Sequence, residues 1–160
     1  MTLGGLPLHP LVVHAAVVLA PLAALVALAH TLVPRWRWAL RHVAAVSVLM
    51  AAVSVQFAAM TGDALAESET SVGKLVRLHE MWAGRLQFAV WVLAAAGVAA
   101  WWVTPHQSPL ANHSRTERDS PLAPVLHRVA LILVPAAAVA TLALVALTGH
   151  AGAEAVWARG

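Results

Sequence analysis

Nine histidines stand in a chain of 160 residues that has no cysteine, so metal or cofactor chemistry here must run through imidazole nitrogen and carboxylate oxygen. Neutral imidazole is the commonest side-chain ligand for zinc, copper and iron and a usual axial ligand of haem, and carboxylates complete such a shell or orient its rings. His9 and His14 fall in the stretch LPLHPLVVH, residues 6–14, which opens an apolar run with no further polar side chain before His30. An imidazole in hydrocarbon costs free energy unless it faces protein, water or a ligand. His14, about a turn inside the run, is therefore expected to matter most. No serine, histidine and acid set with a nucleophile context is present, and no phosphate-cradling glycine loop, so catalysis has no motif to rest on.

The elements that must position these groups follow from composition. The chain is 61% hydrophobic and 11% charged, with a mean hydropathy of +0.77, too apolar for an ordinary soluble domain. Hydropathy marks spans at about 10–33, 40–60, 81–103 and 124–148, each long enough for the ~30 Å hydrocarbon layer. The fold class is all-α: a single four-helix transmembrane bundle over residues 1–160, antiparallel and up-down, in contact with lipid and not with nucleic acid. Pro21 and Pro135 should bend their helices. Residues 61–80 and 104–123 read as polar loops, and 149–160 as a short interfacial tail in which Gly149 and Gly152 end the last helix. No internal repeat stands out.

The side with the first and third connections carries Arg35, Arg37, Arg41, Arg115, Arg118 and Arg128, against Lys74, Arg77, Arg85 and Arg159 on the side with the termini. By the positive-inside tendency both termini lie outside the cytoplasm, in a multi-pass protein of the cell membrane. Alanines four apart, at Ala16, Ala20 and Ala24 and at Ala96 and Ala100, are spaced for close helix contact.

On this topology the histidines form two layers. From His14 to His30 is ~24 Å along a helix at 1.5 Å per residue, so the layers cannot share a site. His30, His42 and His127 read most simply as rings solvated among headgroups, with the tryptophans as an aromatic belt. The outer layer is the candidate site: His9, His14, His79 and His150 for a cofactor, and His14, His79 and His150 with Asp63 and Glu80 for a metal ion. The group expected there is a transition-metal ion or a b-type haem, in a module passing electrons to a partner protein. The alternative is an accessory membrane subunit without a cofactor, whose histidines only tie helix ends together.

Four segments carry a resemblance: GGLPLHPLVVH at the start, TGDALAE after the second span, His79–Glu80, and GHAGAEAVW near the end. Together they resemble the bacterial four-helix membrane proteins catalogued as domain of unknown function 2231, over Gly4 to Trp157. The resemblance implies that His9, His14, Gly62, Asp63, His79, Gly149 and His150 are the recurrent polar positions. Some of that family look like the membrane part of proteins that continue into a Rieske iron–sulfur domain, which implies electron transfer.

Overall fold

A computed structural model of the chain describes residues 2–3, 6–67, 73–104 and 122–157. A two-residue antiparallel ladder, β1 (Thr2–Leu3) with β2 (Leu6–Pro7), precedes the first helix. The rest is helical: α1 (Leu8–Leu32), a 3₁₀ turn at Pro34–Trp36, α2 (Arg37–Glu67), α3 (Lys74–Val103) and α4 (Ala123–Trp157). All four helices are long and apolar enough to cross a membrane. Each of α1 and α3 packs on both α2 and α4, while α1 and α3 scarcely meet. The helices thus run round the bundle in chain order, antiparallel neighbour to neighbour.

Small residues make this packing possible. Lipid gives apolar side chains no reason to leave it, so helices associate where backbones can approach and dispersion contacts are dense. Ala20, Ala23, Ala24, Ala51 and Ala138 are sealed in the interior with Val48, Val90, Leu93 and Val134, whereas Leu22, Leu25, Phe88 and Ile132 point outward. The alanines spaced by four at 16, 20, 24, 96 and 100 are all buried. Gly97 of α3 faces α2 closely: a Cβ added there would lie 3.0 Å from Cγ2 of Val48.

Three boundaries differ from the hydropathy spans. Helix α2 continues through Thr61 to Glu67, α3 begins at Lys74 rather than near 81, and α4 runs past Gly149 and Gly152 to Trp157. Helical hydrogen bonding need not stop where hydrocarbon stops, and the added turns are built from residues with fair helix propensity such as Ala, Leu, Glu, Lys and Arg. The chain is consequently helical on both sides of residues 68–72, where a 20-residue polar loop was expected. Pro21 and Pro135 lie inside continuous helices. The expected third connection, with His106 and His113, falls largely on 105–121, outside the described residues.

The first turns of α2 hold the neighbouring helix ends. Arg37 donates through Nη2 to the Thr31 carbonyl in the last turn of α1, at 3.0 Å. Arg41 donates through Nε and Nη2 to the Trp101 carbonyl at the end of α3, at 3.0 and 2.9 Å, and lies over the Trp101 ring. A cation at a helix C-terminus complements both its unpaired carbonyls and its dipole.

Replacing Gly97 with leucine should force α2 from α3 and cost about 1–3 kcal/mol, the usual range for overpacking. Gly84, with nothing within 4 Å of an added Cβ, should accept alanine without loss. Unfolding of the two variants in mixed detergent micelles, compared with the parent chain, checks both.

Candidate functional site

The antiparallel order brings the start of α1, the end of α2, the start of α3 and the end of α4 to one end of the molecule. There His9 of α1 leans on α2. Its Nδ1 is 3.1 Å from the Ala58 carbonyl and 3.3 Å from Oγ1 of Thr61. A carbonyl only accepts, so Nδ1 carries the proton. The Thr61 hydroxyl faces its own helix's carbonyls at Phe57 and Ala58, which leaves its oxygen free to receive from the ring.

His79 of α3 leans on α4 in the same manner, with Nδ1 3.0 Å from the Thr148 carbonyl. In both places the ring lies flush against a glycine one turn beyond the accepting carbonyl. A Cβ on Gly62 would meet Cε1 of His9 at 3.0 Å, and a Cβ on Gly152 would meet Nδ1 of His79 at 3.1 Å. The geometry explains the glycine: a helical carbonyl points along the axis toward residue i+4, so a ring reaching that oxygen from the side needs position i+4 bare. Gly62 and Gly152 are thus packing partners of imidazole rather than helix stops.

In the Nδ1–H tautomer of an imidazole, Nε2 carries a lone pair, and no described residue hydrogen-bonds to that atom of His9 or His79. His79 and Asp63 lie within electrostatic range of the His9 ring. Oγ1 of Thr148, beside His79, is buried and has no partner among the described residues. Farther along, Gln87 of α3 donates to Oε1 of Gln56 on α2 at 2.8 Å, and Trp91 donates to the same oxygen at 3.1 Å. These follow His79 along one face, since residues four apart share a stripe. Gln56 and Gln87 could be placed at this end from sequence, but not as a bonded pair.

The remaining predicted ligands are elsewhere. His14 is exposed, and its Nδ1 is turned back to the Pro10 carbonyl of its own helix. His150 is 75% exposed and sits 3.4 Å from Oε1 of Glu154 one turn away. Asp63 and Glu80 are exposed. Among the described residues no three histidine, aspartate or glutamate side chains are placed to hold a metal ion, so His14, His79, His150, Asp63 and Glu80 do not form one set. The physical reason is helical phase: at ~100° per residue His14 is turned well away from His9, and depth in the membrane says nothing about facing. Of the four histidines expected to bind a cofactor, the structure brings His9 and His79 toward the bundle and leaves His14 and His150 on its surface.

At the opposite end His30 is not solvated among headgroups but buried at 3% exposure. It continues the interior stripe of Ala20, Ala23 and Ala27, a spacing visible in the sequence. Nδ1 of His42 accepts from the Trp101 indole at 3.2 Å, while Nδ1 of His127 is buried without a partner among the described residues.

The chain matches no protein-family model, no curated protein and no solved structure.

The role of the two ring-facing glycines can be separated from helix propensity. Gly149 has open space around an added Cβ, so Gly149→Ala should stabilise α4 by up to about 1 kcal/mol. Gly62→Ala and Gly152→Ala should lose most of that gain, because each must move a ring off its carbonyl. Nitrogen-15 spectra of labelled histidine should show the Nδ1–H tautomer of His9 eroded in Gly62→Ala and that of His79 eroded in Gly152→Ala, with neither changed in Gly149→Ala.

Proposed function

We propose that this is a membrane-embedded binding module whose outer end takes a transition-metal ion or a b-type haem through Nε2 of His9 and Nε2 of His79. The observation that carries the reading is the matched hydrogen bonding of the two rings: each Nδ1–H is spent on a main-chain carbonyl, which fixes the tautomer and presents Nε2 as a donor atom. Ligating histidines are commonly oriented in this way, by giving the other ring N–H to a carbonyl or carboxylate. The buried, unpartnered Thr148 hydroxyl beside His79 adds a polar group for a bound ligand or its water. A metal held here supplies a redox or Lewis-acid centre; the chain's own residues supply two oriented nitrogens and a wall of glycine and alanine. Electrons would pass to a separate partner protein. The resemblance to the four-helix family named above is part of the same proposal.

A second reading is favoured by a specific observation. Both rings already bridge neighbouring helices, and with His14 and His150 exposed no third imidazole among the described residues joins them in a metal-holding group. An accessory membrane subunit, stapled at its outer end by His9 and His79 and carrying no cofactor, would need nothing more.

Absorption spectra and elemental analysis of detergent-purified protein, prepared with haem or metal supplementation, separate the two. A Soret band, or stoichiometric zinc, copper or iron without one, supports the binding module. His79→Ala and His9→Ala should then lose the group, and His14→Ala should keep it. Wild-type protein that remains empty under every supplementation leaves the accessory reading.

The same proposal places both termini outside the cytoplasm of the cell membrane, on the strength of the arginines at the other end. The chain has no cysteine, so Glu154→Cys creates a single thiol on an exposed turn of α4. It should react in intact cells with an impermeant maleimide. Labelling only after lysis reverses the orientation.

A further inference from the structure

On the outer face of the bundle α3 and α4 leave an open groove of about 870 Å³ between them, a size usual for ligand sites. Its floor includes Ala89 and Ala137, both buried. On α3 it is walled by Phe88, 73% exposed, and on α4 by the exposed Ala136 and Ala140. An alanine reaches no farther than its Cβ, so the α4 wall is low and the slot stays open beside the tall phenylalanine. The groove extends from Met81 to Val92 on α3, or ~16 Å at 1.5 Å per residue. That is about half of the ~30 Å hydrocarbon layer, the depth of one leaflet.

The slot changes character at its outer mouth. Arg85 lines it there, with the guanidinium over the Trp82 ring at 4.7 Å. Such a contact engages the face of the ring and positions the cation without spending any of its N–H donors. Arg85 comes one turn before the apolar stretch 88–103, at the depth where headgroups meet hydrocarbon, and tryptophan is the usual residue of that layer. Lys74 and Arg77 carry the same face of α3 outward, since 74, 77, 81 and 85 are spaced by three and four, and both are exposed.

A slot one leaflet deep, apolar along its length and cationic at its mouth, complements an amphiphile with a negative head. We propose that the groove holds an anionic phospholipid, with one acyl chain along Ala136 and Ala140 and the phosphate receiving N–H groups of Arg85. A zwitterionic lipid fits the same slot, but its own ammonium offsets the attraction to the guanidinium. The proposal does not depend on what His9 and His79 hold.

The test is native mass spectrometry of the full chain released from micelles containing equal phosphatidylglycerol and phosphatidylcholine. Phosphatidylglycerol should be retained about fivefold over phosphatidylcholine, the preference expected from one arginine at headgroup depth. Arg85→Gln should bring the ratio toward one. Ala140→Phe, which fills the slot from an exposed position, should do the same with Arg85 intact. Arg35→Gln should change nothing, because Arg35 also lies over a tryptophan, Trp36, but lines no part of the groove. Circular dichroism confirms that each variant is folded. A wild-type ratio near one overturns the proposal. So does an equal loss in Arg35→Gln, which would mean diffuse surface attraction, or an unchanged ratio in Ala140→Phe, which would put the lipid outside the groove. Release as a lipid-free dimer that Ala140→Phe converts to monomer would assign the groove to a second copy of the chain and overturn the lipid.

Discussion

Main-chain carbonyls that accept a hydrogen bond from a side chain of a neighbouring helix are the contacts on which this bundle depends. Each of the four helices has one toward its C-terminal end, and each is met by a basic side chain from the N-terminal turns of an adjacent antiparallel helix. Arg37 serves Thr31 of α1, Arg41 serves Trp101 of α3, His9 serves Ala58 of α2, and His79 serves Thr148 of α4. In lipid, apolar side chains contribute little to association beyond close packing, so directional bonds of this kind carry more of the register. The alanine interior sets how near the helices come. The four donors set how far each may slide along its neighbour.

The outer pair repeats in detail. A leucine–histidine step begins the interior-facing part of both α1 and α3, and each ring sits on the carbonyl of residue i and against a glycine at i+4 of the next helix. The two hairpins, α1 with α2 and α3 with α4, therefore solve one packing problem in one way. Sequence comparison of the halves shows no repeat because the shared requirement is so small: an imidazole, a carbonyl that any residue supplies, and a position without a Cβ.

That economy explains what could be read from the sequence and what could not. Helix number and order were legible because hydropathy over ~20 residues is a strong signal. Helix ends were not, because Thr61–Glu67 and Lys74–Glu80 remain good helix in water and hydropathy reports only the hydrocarbon layer. His9 and His79, the two rings that bond to a neighbouring helix, were both among the histidines singled out by sequence. The exposure of His14 was not legible because depth was weighed without phase, nor was that of His150, because Gly149 suggested a helix end that does not occur. Gly62 and Gly152 became interpretable only once a ring was seen against each; a glycine inside a helix, costing ~1 kcal/mol relative to alanine, is the signal that asked for such a reason.

The choice between arginine at one end and histidine at the other has a chemical consequence. A guanidinium stays protonated in proteins and has no lone pair to offer, so after capping a helix it can only attract anions. A neutral imidazole that gives Nδ1–H to a carbonyl still holds a lone pair on Nε2, so the same structural task leaves behind a ligand atom. The two guanidinium contacts, Arg37 on Thr31 and Arg41 on Trp101, therefore leave no ligand nitrogen behind. Among the described residues, the end with His9 and His79 combines rings oriented by main-chain carbonyls with a nearby carboxylate, Asp63. Exchanging the two residue types between the ends would preserve every carbonyl contact in principle and exchange what each end can bind, so the distribution of histidine and arginine, rather than the bundle itself, is where the chemistry of this chain resides.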